Sequence, residues 1–319
     1  MMCPAIQTKF IKMSSVTVII PAYNAEAFLA EAIESVLRQS FQDWRIVVVD
    51  DGSLDNTFVL AKQYARQNGR IQAIRQKHFG VSAARNLGVS QSLVETEYIL
   101  FLDSDDYLEP DALEVLTQSL NGAPDVSAAY GLPRFVTHDG QHWEKDITQT
   151  FGYHRKRIAQ NGIKNMEYNA NTDFDSLVIW PCIATSGQLL LRREPFLECG
   201  GYDESLHLSE DWDFWLRLSL KGSFLCIRRI TLNKRNHDSS VSSNGRRMAT
   251  AESWLRHKIA SSYNLSVEQK RIARRGHRYS CVVKLGWAVE DLKRGRLIGF
   301  SKTLWRATRS YINYTVVRY

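Results

Sequence analysis

The sequence predicts an open, mainly parallel α/β sheet flanked by helices, followed by a basic helical extension. Three observations predict it. Strand and helix signals alternate over the first hundred residues. The strand runs are continuously apolar, as strands buried on both faces are. Polar clusters follow directly on three successive strand ends, the edge where open α/β sheets take ligands.

In order, residues 16–20 form a β-branched run ended by Pro21, and Asn24 is placed to cap the next helix. That helix carries Phe28, Leu29, Ile33, Val36 and Leu37 at helical spacing. Residues 44–49 form a second buried strand closed by Asp50-Asp51-Gly52-Ser53, and a helix over about 56–67 leads to a strand at 71–75. A helix follows over 82–89, then a strand over 98–102 that runs into Asp103-Ser104-Asp105-Asp106. Residues 122–180 show no clear period. Beyond them, 186–192 read as a strand, 194–199 as a short helix ended by Gly200-Gly201, and 211–220 as an amphipathic helix. From Met248 onward the chain reads as Arg-rich helices interleaved with Trp254, Trp287 and Trp305.

With 319 residues, 44% of them hydrophobic and 24% charged, the composition is that of a globular protein and excludes disordered or collagen-like chains. The longest aliphatic run, Ile46-Val47-Val48-Val49, stops at Asp50, far short of a membrane span of about 20 residues. The first residues hold Lys9 and Lys12 but no secretory apolar region, so a cytoplasmic chain is expected. Cys3, Cys182, Cys199, Cys226 and Cys281 are odd in number and form no CxxC pair, which points to reduced thiols rather than a disulfide framework or zinc site. The net charge of +7 is uneven: residues 243–319 carry +13 and residues 1–242 carry −6. A nucleic-acid partner is not expected, since no nucleic-acid motif accompanies the basic tail and the acidic remainder opposes a polyanion.

Asp103, Asp105 and Asp106 crowd three carboxylates behind an apolar strand, where they repel one another unless a cation joins them. Mg²⁺ or Mn²⁺ shared with substrate phosphates suits such oxygen donors, although a solvated helix start suits them too. Asp51, beyond a buried strand, is placed to accept a hydrogen bond from a nucleobase, with Pro21, Ala22 and Tyr23 walling the base; Asp-Gly-Ser is equally ordinary turn chemistry. Arg85 lies near a helix start, where an anion gains from free N–H groups as well as the guanidinium. Glu210-Asp211 pairs two carboxylates beside Trp212 and Trp215, a setting that raises a carboxyl group toward general-base use.

These segments, Pro21-Ala22-Tyr23-Asn24, Asp50 to Asp55, Gly80 to Asn86, Phe101 to Asp106 and Ser209 to Trp215, resemble family 2 glycosyltransferases in order and spacing over residues 15–245. The resemblance implies a GT-A, Rossmann-like mixed and mainly parallel sheet. It divides the chain into a leader at 1–14, a transferase domain at 15–242 and a basic helical extension at 243–319. Within the domain, the nucleotide-sugar half is about 15–121 and the acceptor half about 122–242.

By resemblance the activity is inverting transfer from a nucleoside-diphosphate sugar, with UDP favoured, to a hydroxyl of a saccharide or lipid-linked saccharide in cell-surface polysaccharide synthesis. Pro21, Ala22, Tyr23, Asn24, Asp51, Gly52, Ser53, Arg85, Asp103 and Ser104 are implied to bind the donor, Asp51 at the uracil N3. Asp105 and the late His237, with Ser240 and Ser242 behind it, are implied to hold Mn²⁺ or Mg²⁺ on the diphosphate. Asp211 is implied as the base, Glu210 as an acceptor contact, and Trp212 or Trp215 as a platform for a sugar ring. The basic extension is a candidate for the anionic inner face of the cell membrane, which would make the protein peripheral there. An inactive member acting as a scaffold is the competing reading, disfavoured by the retention of Asp103, Asp105, Asp211 and His237.

Overall fold

The structure, a computed structural model, describes residues 15–141, 171–179, 182–236, 264–295 and short stretches between 254 and 308. His237 and the leader lie outside the described residues.

The first strand, β1 (Val16–Ala22), is buried along its whole length and pairs in parallel with β2 (Trp44–Asp50) on one side and β4 (Tyr98–Phe101) on the other. Beyond β2 lies β3 (Ile71–Arg75), also parallel. The crossovers are α1 (Leu29–Leu37), α2 (Thr57–Gln67) and α3 (Val81–Ser90). Gly88 lets α3 lie on β1, because a Cβ there would stand 2.4 Å from Ile19 Cγ2.

A two-residue strand, β5 (Tyr107–Leu108), and α4 (Ala112–Asn121) lead into β6 (Ala128–Val136). Then come α5 (Phe174–Ile179), a 3₁₀ turn at Ser186–Gln188, β7 (Leu189–Arg192), α6 (Arg193–Glu198), α7 (Glu210–Ser219) and β8 (Phe224–Arg235). The long α8 (Val267–Lys293) follows. The eight strands form one sheet in the order β3-β2-β1-β4-β7-β6-β8-β5. β7 runs antiparallel to both β4 and β6, and β5 antiparallel to β8, so the sheet is mixed and mainly parallel, as expected, with its parallel parts joined through β7.

Side chains alternate across the strands, so each face builds its own core. Ile19, Val47, Val49, Ile99 and Phe101 meet Trp212, Phe214 and Trp215 of α7. Val18, Ile20, Ile46, Val48 and Leu100 meet α1 and α4. Leu255, Ile259, Leu265, Ile272 and Ala273 are buried in the core on the α7 side, so the basic extension is packed into the body rather than appended to it. No described helix is long and apolar enough to cross a membrane. Among the described residues, Cys182, Cys199 and Cys226 form no disulfide.

Three expectations change. Asn24 does not cap α1, which begins at Leu29; its backbone is left-handed (φ 48°), and its Oδ1 accepts from Leu54 N at 2.9 Å. Residues 186–188 form a 3₁₀ turn, with only Leu189–Arg192 extended. Strands β6 and β8 occupy stretches to which the sequence assigns nothing. Gly131 allows their close approach, since a Cβ there would fall 2.3 Å from Thr231 Oγ1.

Candidate active site

Two cavities, of about 410 and 550 Å³, lie at the far end of the sheet: one against Arg45, Arg70 and Gln91, the other against Glu95, Arg192 and Lys221. The carboxylates singled out in the sequence gather instead at the C-terminal ends of β1, β2 and β4, as an α/β sheet of this topology directs.

At the end of β2, Asp51 is nearly sealed by donors from one segment. Its Oδ1 accepts from Gln76 Nε2 at 2.7 Å and Phe79 N at 2.9 Å, while its Oδ2 accepts from Gly80 N at 2.9 Å and meets His78 Nδ1 at 2.9 Å. Asp51 therefore staples the 76–80 loop to the sheet and sets the start of α3. A nucleobase imide reaching this carboxylate has to displace Gln76 or His78, the two donors carried on movable side chains. Gly52 takes φ +79° with its Cβ position 3.0 Å from His78 N, so the turn passes too close to the loop for a larger residue. Ser53 Oγ accepts from Asn24 N at 2.9 Å, tying the ends of β1 and β2 together. Pro21 and Ala22 are buried within β1, whereas Tyr23 is 44% exposed and stacks on His78 at 4.1 Å.

Around β4 the charges are arranged differently. Arg85, only 4% exposed, donates from Nη2 to Asp103 Oδ1 at 2.8 Å and from Nη1 to Glu210 Oε1 at 3.1 Å. Its guanidinium lies over the Tyr202 ring at 4.9 Å. Burial pulls its proton affinity down, but Tyr202, Asp103 and Glu210 outweigh that and raise it. Arg85 thus bridges the two carboxylate groups that the sequence assigns to donor and acceptor, and its bond to Glu210 spans 125 residues of chain. Thr185 Oγ1 donates to the other oxygen of Asp103 at 2.7 Å. Burial would raise Asp103, yet the charges of Arg85 and Lys234 and these hydrogen bonds hold it below the usual carboxylate range.

Asp211 has no such partner. It stands in the first turn of α7, behind Ser209, whose backbone is left-handed (φ 59°). Asn24 and Ser209 are the two described non-glycine residues with positive φ, and both border this edge, where strain of about 1 kcal/mol or more is commonly stored. Burial and the neighbouring Glu210 charge push Asp211 up to about 7, against the pull of Arg85 and the Trp212 N–H. A carboxyl group near neutrality can take a proton from a hydroxyl, as a general base must.

Trp212 corrects one expectation. It is 2% exposed, its Nε1 donates to Leu177 O at 2.9 Å, and Trp215 is 2% exposed beside it. Both indoles belong to the core, so neither offers a face to an acceptor sugar. They supply the apolar wall that desolvates the start of α7.

The Asp103–Asp106 turn is closed by Asp106 N donating to Asp103 O at 3.0 Å and is pinned by β8. Arg235 N donates to Asp106 Oδ1 at 2.9 Å, and Arg235 Nε donates to Asp105 O at 3.1 Å. Asp106 is 1% exposed, and its Oδ2 has no hydrogen-bond partner. Burial, with Asp105 and Asp103 adding to it, pushes its carboxyl up to about 8. Among the described residues no three His, Cys, Asp or Glu side chains converge on one point. The oxygen donors Asp105 and Asp106, one with an orphaned atom, fit a hard divalent cation of the kind that one or two carboxylates hold and substrate phosphates complete. Ser104 sits half-buried in the same turn.

Sequence reasoning missed Thr185, Lys234 and Arg235. Thr185 has no local signal, because its importance arises from packing onto Asp103 across 82 residues. Lys234-Arg235 carries one: two cations at the end of an apolar strand, facing an acidic turn.

A sheet of this order brings an acidic turn after its fourth strand and a carboxylate pair opening a later helix to one edge, bridged by Arg85. The chain matches the family model "Glycosyl transferase family 2" over residues 17–185, and it belongs to that family. It is 28% identical over 236 residues to the chondroitin synthase of Escherichia coli, covering 71% of this chain and 30% of that protein. It is 40% identical over 103 residues to the uncharacterized glycosyltransferase EpsJ of Bacillus subtilis, covering 32% of this chain and 29% of that one. Its alignments thus span under a third of these relatives. In fold it is similar to S. aureus TarS 1-349 in complex with UDP, at TM-score 0.57 and 15% identity, covering 92% of this chain and 91% of that one. It is also similar to the mannosyltransferase PcManGT of Pyrobaculum calidifontis in complex with GDP-Man and Mn²⁺, at TM-score 0.59 and 15% identity, covering 94% and 86%.

Proposed function

We propose that this glycosyltransferase moves a sugar, with inversion, from a UDP-sugar to a hydroxyl of a saccharide or lipid-linked saccharide during cell-surface polysaccharide synthesis. The observation that carries the proposal is the bridge Asp103–Arg85–Glu210, which sets the raised Asp211 carboxyl beside a turn suited to a donor. The relatives include a chondroitin synthase, and a neighbour of the same fold is a complex with UDP.

In the mechanism, Asp211 takes the acceptor hydroxyl proton as its oxygen attacks the anomeric carbon, and the sugar–phosphate bond breaks on the opposite side. Glu210 orients the acceptor while Arg85 holds it in place. The donor base is received at the Tyr23, Asn24, Asp51, Gly52 and Ser53 corner, and Asp103 and Ser104 face the donor's ribose or sugar. Asp105 and Asp106, with His237, would hold Mn²⁺ or Mg²⁺, which when bound supplies charge stabilisation for the departing diphosphate. No nucleophile for a covalent sugar intermediate is needed.

The donor half is assigned to residues 15–121 and the acceptor half to 122–242. The 243–319 segment is assigned to the anionic inner face of the cell membrane, an idea supported by Trp254 and Trp305, 54% and 61% exposed. Flotation with anionic vesicles tests that assignment, and failure of the intact chain to float rejects it.

The donor reading is tested by thermal stabilisation with UDP, GDP, CMP and dTDP, with and without Mn²⁺. A ligand at a hundred times its dissociation constant adds about 2.7 kcal/mol. UDP is expected to stabilise most; no stabilisation by any of the four rejects the donor site.

A further inference from the structure

Among the described residues, Lys234 is the one lysine that acts on Asp103 and Asp106, and neither the sequence patterns nor the family likeness gives it a task. It lies at the end of β8, where Asn233 pairs with Tyr107 and Leu232 with Leu108, so the strand runs directly against the acidic turn. The side chains beside it on the strand bond groups other than that turn's carboxylates: Asn233 Nδ2 donates to Glu109 Oε1 at 2.7 Å, and Arg235 Nη2 pairs with Glu31 while its Nε reaches only the backbone oxygen of Asp105. Strand alternation sends Lys234 to the other face. Two residues back on that face, Leu232 Cδ1 lies 3.1 Å from the Cβ position of Gly187, with Leu102 Cδ1 3.6 Å from the same point. Leu102 adjoins Asp103, and Gly187 is two residues from Thr185, which bonds Asp103. The Lys234 ammonium is partly buried there and interacts electrostatically with Asp106, Asp103, Asp105 and Asp211. Their combined charge outweighs the effect of burial and keeps the amine protonated.

We propose that Lys234 is the resident cation of this aspartate cluster. It neutralises the turn while the site is empty, lowers the cluster's affinity for a free divalent cation, and attracts the diphosphate of the incoming donor. A second cation brought among the same carboxylates is repelled by the ammonium, and the repulsion is strong where water is excluded. The proposal rests on the donor-site reading only for its diphosphate arm. In that arm, nucleotide and metal enter together, because the phosphates supply the negative charge that Lys234 has cancelled.

The test measures two affinities of the full chain by calorimetry: Mn²⁺ without nucleotide, and UDP without metal. For Lys234→Met and Lys234→Gln, Mn²⁺ is expected to bind at least tenfold more tightly and UDP at least tenfold more weakly than to the parent. Lys234→Arg, which keeps a cation, is expected to stay within threefold of the parent for both. Opposite movement of the two affinities separates this role from damage to the fold, which weakens both. The proposal is overturned if Mn²⁺ affinity is unchanged or lowered in whichever neutral variant retains the parent's circular dichroism. It is also overturned if Lys234→Arg gains Mn²⁺ affinity as the neutral variants do. Absence of UDP binding in the parent would overturn the donor reading and leave the Mn²⁺ comparison to decide the case of Lys234.

Discussion

Asp51 and Asp211 stand on the same edge of the sheet, and the fold treats them in opposite ways. Asp51 meets two backbone N–H groups and two side-chain donors, all within one five-residue loop. Asp211 has the neighbouring Trp212 N–H at 2.7 Å, a like charge beside it and an apolar wall behind. A carboxylate satisfied in this way holds a loop in shape and does little chemistry. One left short of partners stores the free energy that makes it a base. The Asp51 corner is thus built for position and the Asp211 corner for reactivity, and Arg85 ties Asp103 to Glu210 between them.

The largest break in this contrast comes from Asp211→Asn. Turnover of a donor–acceptor pair is expected to fall about a thousandfold, with the thermal midpoint unchanged or higher, because the substitution removes a poorly partnered carboxyl group. Turnover within threefold of the parent would erase the distinction between the corners.

Next is Arg85→Met, which strands Asp103 and Glu210 without their shared cation. Breaking a buried pair of this kind costs about 3 kcal/mol, read as a lower urea midpoint with an unchanged slope. Asp51→Asn is expected to cost about 2 kcal/mol, since its amide NH₂ would face either the Phe79 or the Gly80 N–H group, which donate to different oxygens of Asp51. Donor KM should rise while the kcat limb with pH stays where it was. A shifted limb would mean that Asp51 acts on chemistry and not only on position.

The smallest effect is expected at Lys258, whose ammonium bridges Asp203 at 2.6 Å and the buried Asp213 at 2.8 Å. Asp213 keeps Arg217 at 2.8 Å, so Lys258→Met should cost only about 1 kcal/mol. Burial opposes ionisation of Asp203, yet its bonds to Lys258 and Ser205 hold it at about 2. Its contribution is therefore present above the unfolded value of 3.8 and is lost as the pH falls toward 2, a loss that Lys258→Met should blunt.

What the sequence made legible follows the same division. Strands β1, β2 and β4 fall within about two residues of expectation, because strands buried on both faces are written as largely apolar runs, and the short edge strand β3 falls at residues 71–75 as expected. The strands β6 and β8 are not written that way. Gly131 and Pro133 interrupt β6. Pro133 lies beyond residues 128–130, where β7 covers that strand, and at a register shift in the pairing with β8, where an irregular ladder tolerates proline. On β8, Arg228 and Arg229 face solvent in the middle of the run. Helix α4 carries Leu113, Leu116 and Leu120 at plain helical spacing, and its place was readable, although no element is assigned there from sequence. At the site, the aspartates were visible as residue types. The partners that set their charge, Arg85 aside, come from Thr185, Lys234 and the 76–80 loop, and no local pattern announces a contact across the sheet.

The central claim is that the Asp211 carboxyl group is held near neutrality by its surroundings. Its raised value means that the folded chain keeps a proton there that the unfolded chain has lost, so this group makes stability fall as pH rises from 3.8 to about 7. Asp211→Asn should remove that slope. The most direct measurement is a carbon-13 NMR titration of aspartate carboxyl groups in the parent and in Asp211→Asn. The account predicts one resonance that titrates near pH 7 in the parent and is missing in the variant. An Asp211 resonance titrating near 4 would contradict it.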